Sequence, residues 1–450
     1  EWVRNNESEW QRDPSMSRAF QRICQFLENM IKLGLNYLHL NRSIPSLSGG
    51  ELQRLRLAKS ANSHFSNFLY VLDEPSAGLH PKEWSMVADL IRNLRNRNNT
   101  ILMIEQNKSL KGLADKVYHL GPGGGRGGGK LVSASSVAEE NISAPNYRFF
   151  QSHSEIEIQN ASAFNIEKLS ITIPSNTFVG VCGVSGSGKS AFLRSILPRV
   201  MRNAVYLTQC PISGNSYSIV ATAVNIYTII QSLYARKTKV TKENFSYSSR
   251  GKGQCSLCRG KGILEESSTY IDSVITCPDC KGMRFSPQAL RYSYKGMNIY
   301  ELLNMDVESV LDIFSGDDPQ IEYVLTMMSQ MGLGYLKLFQ NTSSLSGGEA
   351  QRIKLLDGLV KSKKPKTYLL DEPFRGVDRR NLLKIIRFFY ELIDSGNTIY
   401  MAEHNPTALD YCSYLIEFGP GGGVYGGQVI YSGDRREISR SNTSRMAEHL

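Results

Sequence analysis

The chain has 450 residues, of which 41% are hydrophobic and 21% charged, and its formal net charge is +10 at neutral pH. This length accommodates two or three domains that each bury a core, and the composition is that of a folded protein. No apolar run reaches the roughly 20 residues that cross a bilayer, which excludes the membrane half of a transporter. With no apolar signal region at the N-terminus either, we expect a cytosolic protein with no membrane partner. The positive charge suits a partner that carries phosphates.

The chain repeats itself at an offset of 298 residues. Four segments return in order: Gly34–Leu38 as Gly332–Leu336, Leu47–Glu51 as Leu345–Glu349, Leu72–Pro75 as Leu370–Pro373, and Gly121–Gly125 as Gly419–Gly423. A period this long indicates a duplicated domain. The second copy also contains a glycine-rich loop and a cysteine quartet, whose counterparts would precede residue 1. We therefore expect an incomplete first copy. Either the chain is a piece of a longer protein, or another molecule supplies the missing half.

Composition along the chain sets the predicted boundaries. We predict the C-terminal part of the first domain at 1–125, a Gly- and Ser-rich linker at 126–154 and the second domain at 155–450, with an inserted cysteine-containing region at about 210–345. Alternating apolar residues in Glu155–Ile158 and Leu169–Ile173 predict half-buried antiparallel strands. The nearly continuous apolar run Phe178–Cys182 predicts a strand that is buried on both faces.

That buried strand leads into a glycine-rich loop. Gly183–Ser190 matches G-x-x-x-x-G-K-[ST] at every specified position and precedes a helix-like segment. Glycines let the backbone curl so that successive N–H groups point at phosphates, while Lys189 meets the β- and γ-phosphates and Ser190 holds Mg²⁺. The predicted ATP-binding residues of the loop are Gly183, Ser185, Gly186, Ser187, Gly188, Lys189 and Ser190. The alternative is an ordinary Gly/Ser turn.

Two carboxylates follow an apolar strand further along the chain. Asp371 and Glu372 end the segment Thr367–Leu370, so we expect them at the edge of the sheet where phosphates bind in open α/β folds. Asp371 suits Mg²⁺ bound through water, and Glu372 suits the general base that activates water. The alternative is that Asp371 and Glu372 are an ordinary pair of surface carboxylates at the end of a strand. Its repetition as Asp73-Glu74, with the same following proline, argues against that alternative.

The word Leu-Ser-Gly-Gly-Glu opens a predicted helix in both copies. Together with the glycine-rich loop and the Leu-Asp-Glu-Pro strand, it resembles the ABC ATPase class. The resemblance implies tandem α/β nucleotide-binding domains, the first of them incomplete. It also implies one composite ATP site between the copies. The first copy would add Ser48, Gly49, Gly50 and Glu51 to the second copy's loop, and the second copy would add Gln209, Asp371, Glu372 and the switch histidine His404.

A sister site is predicted to be inactive. It has Ser346, Gly347 and Gly348 from the second copy and Asp73 and Glu74 from the first. The position that matches His404 holds Gln106, which lacks the imidazole that the switch role uses. No glycine-rich loop serves this site within the sequence, so we expect ATP hydrolysis at one site at most.

Four cysteines form two close pairs. Cys255 and Cys258 are separated by 18 residues from Cys277 and Cys280, a spacing typical of two knuckles that share one tetrahedral zinc ion. Each pair is followed by basic residues and glycine, so tight turns are expected. Four cysteines leave no open position for water, and the predicted zinc is therefore structural. The alternative is four buried free thiols.

A cysteine quartet between the glycine-rich loop and the second signature resembles the UvrA family, as does the segment Cys277–Phe285. The resemblance covers nearly the whole chain and implies an ATPase that binds damaged duplex DNA as a homodimer in nucleotide excision repair. A UvrB-like partner is implied for a full-length protein. We predict phosphate contacts from six basic residues near the cysteines: Arg250, Lys252, Arg259, Lys261, Lys281 and Arg284. The alternative for these six is a solvated surface.

Three departures from the family pattern leave two other functions open. They are Ser213–Tyr217 in place of an arginine-containing segment, Gln106 at the switch position and Ala191 after Gly-Lys-Ser. The first alternative is a drug-resistance or accessory ATPase that lacks damage recognition. The second is a non-hydrolysing remnant that acts as a binding module. Affinity for damaged over intact duplex separates the first alternative from repair, and ATP turnover excludes the second.

Overall fold

The computed structural model describes residues 14–44, 47, 49–61, 66–76, 79–105, 107–121, 129–133, 145–152, 154–207, 217–248, 251–267, 272–361 and 365–450. Within these ranges, strands and helices build one α/β unit in full and a second, smaller unit that repeats part of it. The predicted fold class of tandem α/β nucleotide-binding domains is confirmed. Among the described helices, none combines the length and apolar character needed to span a bilayer.

Within the described residues, the first copy contains four α-helices and four short strands. In chain order they are α1 (Pro14–Lys32), α2 (Gly49–Ala61), β1 (Leu69–Asp73), α3 (Trp84–Asn96), β2 (Thr100–Ile104), α4 (Lys108–Lys111), β3 (His119–Gly121) and β4 (Lys130–Val132). Strand β1 pairs in parallel with β2, and β3 pairs antiparallel with β4. A separate core lies between these helices and includes Leu33, Leu57, Val87 and Leu94.

The strands of the second copy begin with the antiparallel pair β5 (Glu155–Ala163) and β6 (Ile166–Pro174), as the alternation predicted. The others in chain order are β7 (Phe178–Gly183), β8 (Ala204–Leu207), β9 (Ile263–Ser267), β10 (Asp272–Thr276), β11 (Ser293–Tyr294), β12 (Met297–Asn298), β13 (Thr367–Asp371), β14 (Thr398–Ala402), β15 (Tyr414–Gly419) and β16 (Gln428–Asp434). Strands β9 and β10 form an antiparallel hairpin next to the cysteines.

The central sheet of the second copy has six strands in the order β16, β15, β7, β14, β13, β8. Every residue of β7 is buried, which confirms the prediction of a strand covered on both faces. Strands β15, β7, β14, β13 and β8 run parallel, so their carboxyl ends meet at one edge. That edge carries the glycine-rich loop after β7 and the two carboxylates at the end of β13.

Helices cover the sheet and form the inserted region. They are α5 (Lys189–Ala191), α6 (Leu197–Val200), α7 (Val220–Ala223), α8 (Tyr227–Thr238), α9 (Ile299–Leu303), α10 (Val307–Phe314), α11 (Pro319–Gln330), α12 (Gly347–Lys361), α13 (Arg379–Asp394) and α14 (Pro406–Leu409). A π-helical segment, Phe192–Ile196, joins α5 to α6. The strongly amphipathic α13 buries its apolar face against β7 and β14, with Phe389 edge-on to Phe178.

The duplication is visible in strand register as well as in sequence. Leu69 in β1 pairs with Thr100 in β2, and the residues 298 positions later, Thr367 and Thr398, pair in the same way. In the second copy β14 also pairs with β7, whereas in the described part of the first copy β2 pairs only with β1. Leu102 and Ile104 of β2 are accordingly more than half exposed.

The predicted linker at 126–154 needs correction at both ends. Strand β4 pairs with β3 through Lys130–Val132, so these residues belong to the first copy. Residues 147–152 pack on the second copy, where Arg148 forms a two-bond ion pair with Asp394. The Gly- and Ser-rich composition concealed short segments that have strand or packing partners elsewhere in the fold.

Candidate functional site

The glycine-rich loop has the backbone shape that phosphate binding requires. Gly183 has a φ of 130°, and a Cβ atom there would lie 2.0 Å from the carbonyl oxygen of Phe418. The ammonium group of Lys189 is buried and donates to the carbonyl oxygens of Gly183 and Val184, at 2.8 Å each. The buried hydroxyl of Ser187 has no hydrogen-bond partner among the described residues. The loop therefore offers a cation and an unused polar group to an anion.

Asp371 lies beside this loop, as the parallel sheet requires. Its carboxylate accepts hydrogen bonds from the Ser190 hydroxyl at 3.2 Å and from the Tyr206 hydroxyl at 3.0 Å. Burial raises the pKa of Asp371, and the two hydroxyls oppose that rise because they favour the ionised form. Ser190 and Asp371 form an oxygen donor set that fits Mg²⁺, which prefers hard oxygen ligands.

Glu372 and His404 face each other across the same edge. The Nε2 atom of His404 lies 3.7 Å from Oε1 of Glu372. Burial raises the pKa of Glu372, as does the neighbouring Asp371 carboxylate, whereas burial lowers the pKa of His404 well below its usual value. The imidazole is therefore neutral at pH 7, and its Nδ1 atom has no partner within the described ranges. A carboxylate of raised pKa beside a neutral imidazole suits proton transfer from water.

A buried carboxylate braces these two catalytic candidates. Glu403 accepts hydrogen bonds from the backbone N–H groups of His404, Asn405 and Phe374, at 2.8, 3.2 and 3.2 Å. It thereby ties the turn after β14 to the turn after β13. In the first copy, Glu105 accepts from the backbone of Ser76 and Asn107 in the same pattern.

The first copy lies directly against the glycine-rich loop. The ring of Tyr37 covers Gly186, because a Cβ atom on that glycine would lie 2.7 Å from the ring. The Tyr37 hydroxyl donates to Glu51 at 2.9 Å, and Glu51 lies in the first turn of α2, the first-copy signature helix. From the start of α3, Glu83 accepts a hydrogen bond from the Ser185 hydroxyl at 3.1 Å.

The structure therefore brings most of the predicted composite site together. Gly49 and Gly50 begin helix α2, and Glu51 lies one residue further on with only 6% of its surface exposed. Ser48 and Gln209 lie outside the described residues, so their predicted roles stay predictions. Ser185, Gly188, Lys189 and Ser190 occupy the loop and the start of α5, as the motif indicated.

The sister site shows part of the same arrangement. The Glu74 carboxylate lies 3.1 Å from where a Cβ atom on Gly376 of the second copy would be. Helix α12 begins at Gly347, and the Ser346 hydroxyl and the Glu349 carboxylate form reciprocal hydrogen bonds with each other's backbone N–H groups. Gln106 lies outside the described residues. The inactivity of this site stays a prediction.

The four cysteines converge as the spacing predicted. Their sulfur atoms all lie within 4.8 Å of one another, and all four residues are buried. Arg259 and Lys281 both have φ values near +50°, so each pair is followed by the expected tight turn. The Cys258 sulfur also accepts a hydrogen bond from the backbone of Gly262 at 3.2 Å. Four convergent sulfurs are the donor set of a structural zinc site, so the residues fit the metal.

Of the six basic residues predicted to contact DNA, three are exposed: Lys252, Arg259 and Lys281. Lys261 is partly buried and forms an ion pair with Glu265 at 3.1 Å, and Arg250 lies outside the described residues. The prediction for Arg284 is wrong. Its guanidinium lies over the rings of Tyr247 and Phe339 and only 8% of the residue is exposed, because the turn after Cys280 directs the side chain inward.

Several residues of the site were missed by reasoning from the sequence. They are Tyr37, Arg54, Glu83, Tyr206 and Glu403. Three of them carry a signal in the repeat, since Tyr37, Arg54 and Glu105 return as Tyr335, Arg352 and Glu403. Glu83 and Tyr206 have no such signal, and only the packing of distant segments shows their contacts.

Comparisons with known proteins agree with this geometry. A family model described as ABC transporter matches residues 166–375. UvrABC system protein A of Aquifex aeolicus is 35% identical over 96% of this chain and 52% of its own length. The same protein of Bacillus subtilis is 33% identical over 96% of this chain and 50% of its own. The crystal structure of UvrA2 from Deinococcus radiodurans superposes with a TM-score of 0.89 at 29% identity, covering 99% of this chain and 61% of that one. The chain thus spans about half the length of the curated relatives it matches.

The cysteine cluster can be tested by metal analysis. We expect Cys255→Ser to reduce bound zinc from about one ion per chain to about none, because a structural site needs its four ligands. The thermal stability of the protein should fall with it, since metal binding and folding are coupled. Elemental analysis and circular dichroism give the two readouts. Cys24→Ser, at a partly buried cysteine outside the cluster, is the control. Full zinc content in the Cys255 variant would contradict the assignment.

The Glu403 brace predicts a pH effect on stability. Burial raises the pKa of Glu403 from 4.5 to about 7, as does the nearby Glu372, although its three backbone hydrogen bonds oppose the rise. The folded chain then holds a proton that the unfolded chain releases, so stability is full below pH 4.5 and falls as the pH rises to 7. The loss should be about 3 kcal/mol.

Chemical denaturation at pH 5 and pH 8 measures this difference. In Glu403→Gln the fall between the two pH values should become smaller by about 3 kcal/mol, even if the variant is less stable at pH 5. Glu105→Gln, at the counterpart position in the first copy, serves as the matched control. An unchanged fall in the Glu403 variant would show that another group is responsible.

Proposed function

Because this chain belongs to the UvrA family of ABC ATPases, we propose that it binds and hydrolyses ATP between its two copies and acts on duplex DNA in nucleotide excision repair. One observation carries the ATPase part of the proposal. The glycine-rich loop of the second copy contacts the first copy through Tyr37 and Glu83, beside the signature helix. A nucleotide in the loop would therefore lie between the two copies.

The proposed mechanism assigns one task to each group of side chains. Loop N–H groups and Lys189 hold the phosphates, and the N-terminus of α2 directs its backbone N–H groups toward the outermost one. Glu372 accepts a proton from the attacking water, and neutral His404 donates to the γ-phosphate. Mg²⁺ held by Ser190 and Asp371 would neutralise charge on the β- and γ-phosphate oxygens. Charge stabilisation and positioning supply most of the catalysis.

The DNA part of the proposal rests on family membership and on exposed charge. The relatives named above belong to the UvrABC system, and this chain carries a net charge of +10. Lys252, Arg259 and Lys281 present exposed cations next to the cysteine cluster, where duplex phosphates would contact them. We further propose a homodimer, a UvrB-like partner in a full-length protein, and action in the cytoplasm.

ATP turnover tests the asymmetric site. We expect Lys189→Ala to abolish phosphate release and Glu372→Gln to lower kcat by about 10²-fold to 10³-fold, since the general base is lost. Glu74→Gln, the same change in the first copy, should keep the rate within about twofold of the unaltered chain. A phosphate-release assay at saturating ATP measures all three. A large loss in the Glu74 variant would contradict a single working site.

Binding to duplex DNA over a range of salt concentrations tests the basic surface. Changing Lys252, Arg259 and Lys281 together to alanine should reduce the slope of log K against log salt by about 0.9 for each lost phosphate contact. Changing Lys59, Arg92 and Arg95 of the first copy, which are equally exposed, controls for net charge. Equal slopes in the two triple variants would locate the DNA elsewhere. Comparing damaged with intact duplex tests damage recognition.

A further inference from the structure

Glu83 of the first copy is a buried carboxylate at the mouth of the glycine-rich loop. Only 8% of its surface is exposed. One oxygen accepts from the Arg54 guanidinium at 3.2 Å, and the other accepts from the backbone N–H of His80 at 2.8 Å and from the Ser185 hydroxyl at 3.1 Å. The carboxylate is therefore held rigidly by its own copy while it binds a loop of the other.

The surrounding contacts fix this position. Arg54 projects from the signature helix α2, is 2% exposed, and also donates to the carbonyl of Leu33 at 3.1 Å. Its other nitrogen donates to the Tyr37 hydroxyl at 3.4 Å, and that hydroxyl donates to Glu51. One network thus runs from the signature helix through Arg54 and Glu83 to the loop. A shift of Ser185 would therefore change the hydrogen bonds that reach the signature helix.

The γ-phosphate of a bound nucleotide would approach the same place. In a loop of this type the backbone cradles the α- and β-phosphates, and the γ-phosphate projects toward the general base and the switch histidine. His404 faces His80 with a ring separation of 6.5 Å, and the His80 backbone donates to Glu83. The γ-phosphate therefore enters on the side of the loop where Glu83 lies.

The Glu83 carboxylate and the γ-phosphate would then lie close together, and both would compete for the Ser185 hydroxyl. Ser185 has a single hydroxyl proton, which it donates either to Glu83 or to a phosphate oxygen. A fixed carboxylate and a γ-phosphate also repel each other in a buried site of low polarity. ADP lacks the γ-phosphate and leaves the bond between Ser185 and Glu83 intact.

We infer that Glu83 acts from the first copy as a gate on the second copy's loop, competing with the γ-phosphate of ATP for the Ser185 hydroxyl and so lowering the affinity for ATP relative to ADP. This inference rests on the proposed function. Glu83 is a positioning residue that acts through Ser185. Release of Ser185 by ATP removes the hydrogen bond between the loop and the Arg54–Glu83 network and so links loop occupancy to the signature helix.

The second copy has no carboxylate at the position that matches Glu83. This position holds Asn381, whose backbone N–H and side-chain amide both donate to the carboxylate of Asp378, the N-cap residue of α13. The matching arginine, Arg352, is buried, and its Nε and Nη1 atoms have no hydrogen-bond partner among the described residues. A carboxylate gate is therefore a feature of the composite site that contains the loop.

Direct binding of nucleotides, with Mg²⁺ present, tests the gate. We expect Glu83→Gln to tighten binding of ATPγS, a slowly hydrolysed analogue, by about tenfold, which is the effect of weakening one charge-assisted hydrogen bond. Binding of ADP should change by less than about twofold. Asp89→Asn removes a charge from an exposed position on the same helix and should change neither affinity.

A second variant guards against misfolding, since neutralising Glu83 alone leaves the buried Arg54 charge without its carboxylate. Arg54→Met with Glu83→Gln removes both charges and should give the same change in the ratio of ATPγS to ADP affinity. Circular dichroism confirms folding of each variant. An unchanged ratio in both would overturn the gate alone. Absence of nucleotide binding by the unaltered chain would overturn the proposed function and the gate with it.

Discussion

Strands β7, β14 and β13 pair in parallel, and this pairing positions the catalytic candidates. Parallel strands place their carboxyl ends at one edge, so groups that are far apart in sequence meet there. The loop after β7, the carboxylates at the end of β13 and the histidine after β14 come together for this reason. Their distances follow from strand order, and Glu403 then ties the last two turns to each other through backbone hydrogen bonds.

Burial at this edge of the sheet shifts the pKa values of the side chains that meet there. The pKa of Asp371 and that of Glu372 are raised by burial, and that of His404 is lowered. Each shift follows from the cost of holding a charge away from water. The hydroxyls of Ser190 and Tyr206 offset part of that cost at Asp371. A carboxylate poised to accept a proton and a neutral imidazole are the states that the proposed hydrolysis uses.

The two copies differ most in how they use their related residues. Tyr37 and Tyr335 occupy matching positions, and each hydrogen-bonds to the glutamate of its signature helix. Arg54 pairs with a carboxylate that also contacts the glycine-rich loop, whereas Arg352 has no such carboxylate at the matching position, which holds Asn381. Duplication therefore supplied two similar surfaces. A difference at one matching position, Glu83 against Asn381, gives the first copy a buried ion pair next to the loop.

The inserted cysteine region contains one feature that the sequence predicted correctly and one that it did not. The cysteine spacing predicted the cluster of four sulfur atoms, because two cysteines that are separated by two residues in a tight turn can direct both sulfur atoms to one point. Arg284, in contrast, was predicted at the surface and lies between aromatic rings. Its direction depends on Tyr247 and Phe339, which are remote in sequence.

Four features could be predicted from the order of the residues alone: the duplicated architecture, the buried strand, the glycine-rich loop and the cysteine cluster. Each of these features depends on the spacing of nearby residues or on the repeat at one offset. Such features can be recognised without knowing which distant segments pack together. The folded chain was needed to show that Glu83 contacts Ser185, that Tyr206 donates to Asp371 and that part of the predicted linker pairs with β3. Those contacts join segments with no shared pattern, because they arise from how sheets and helices pack after each has formed.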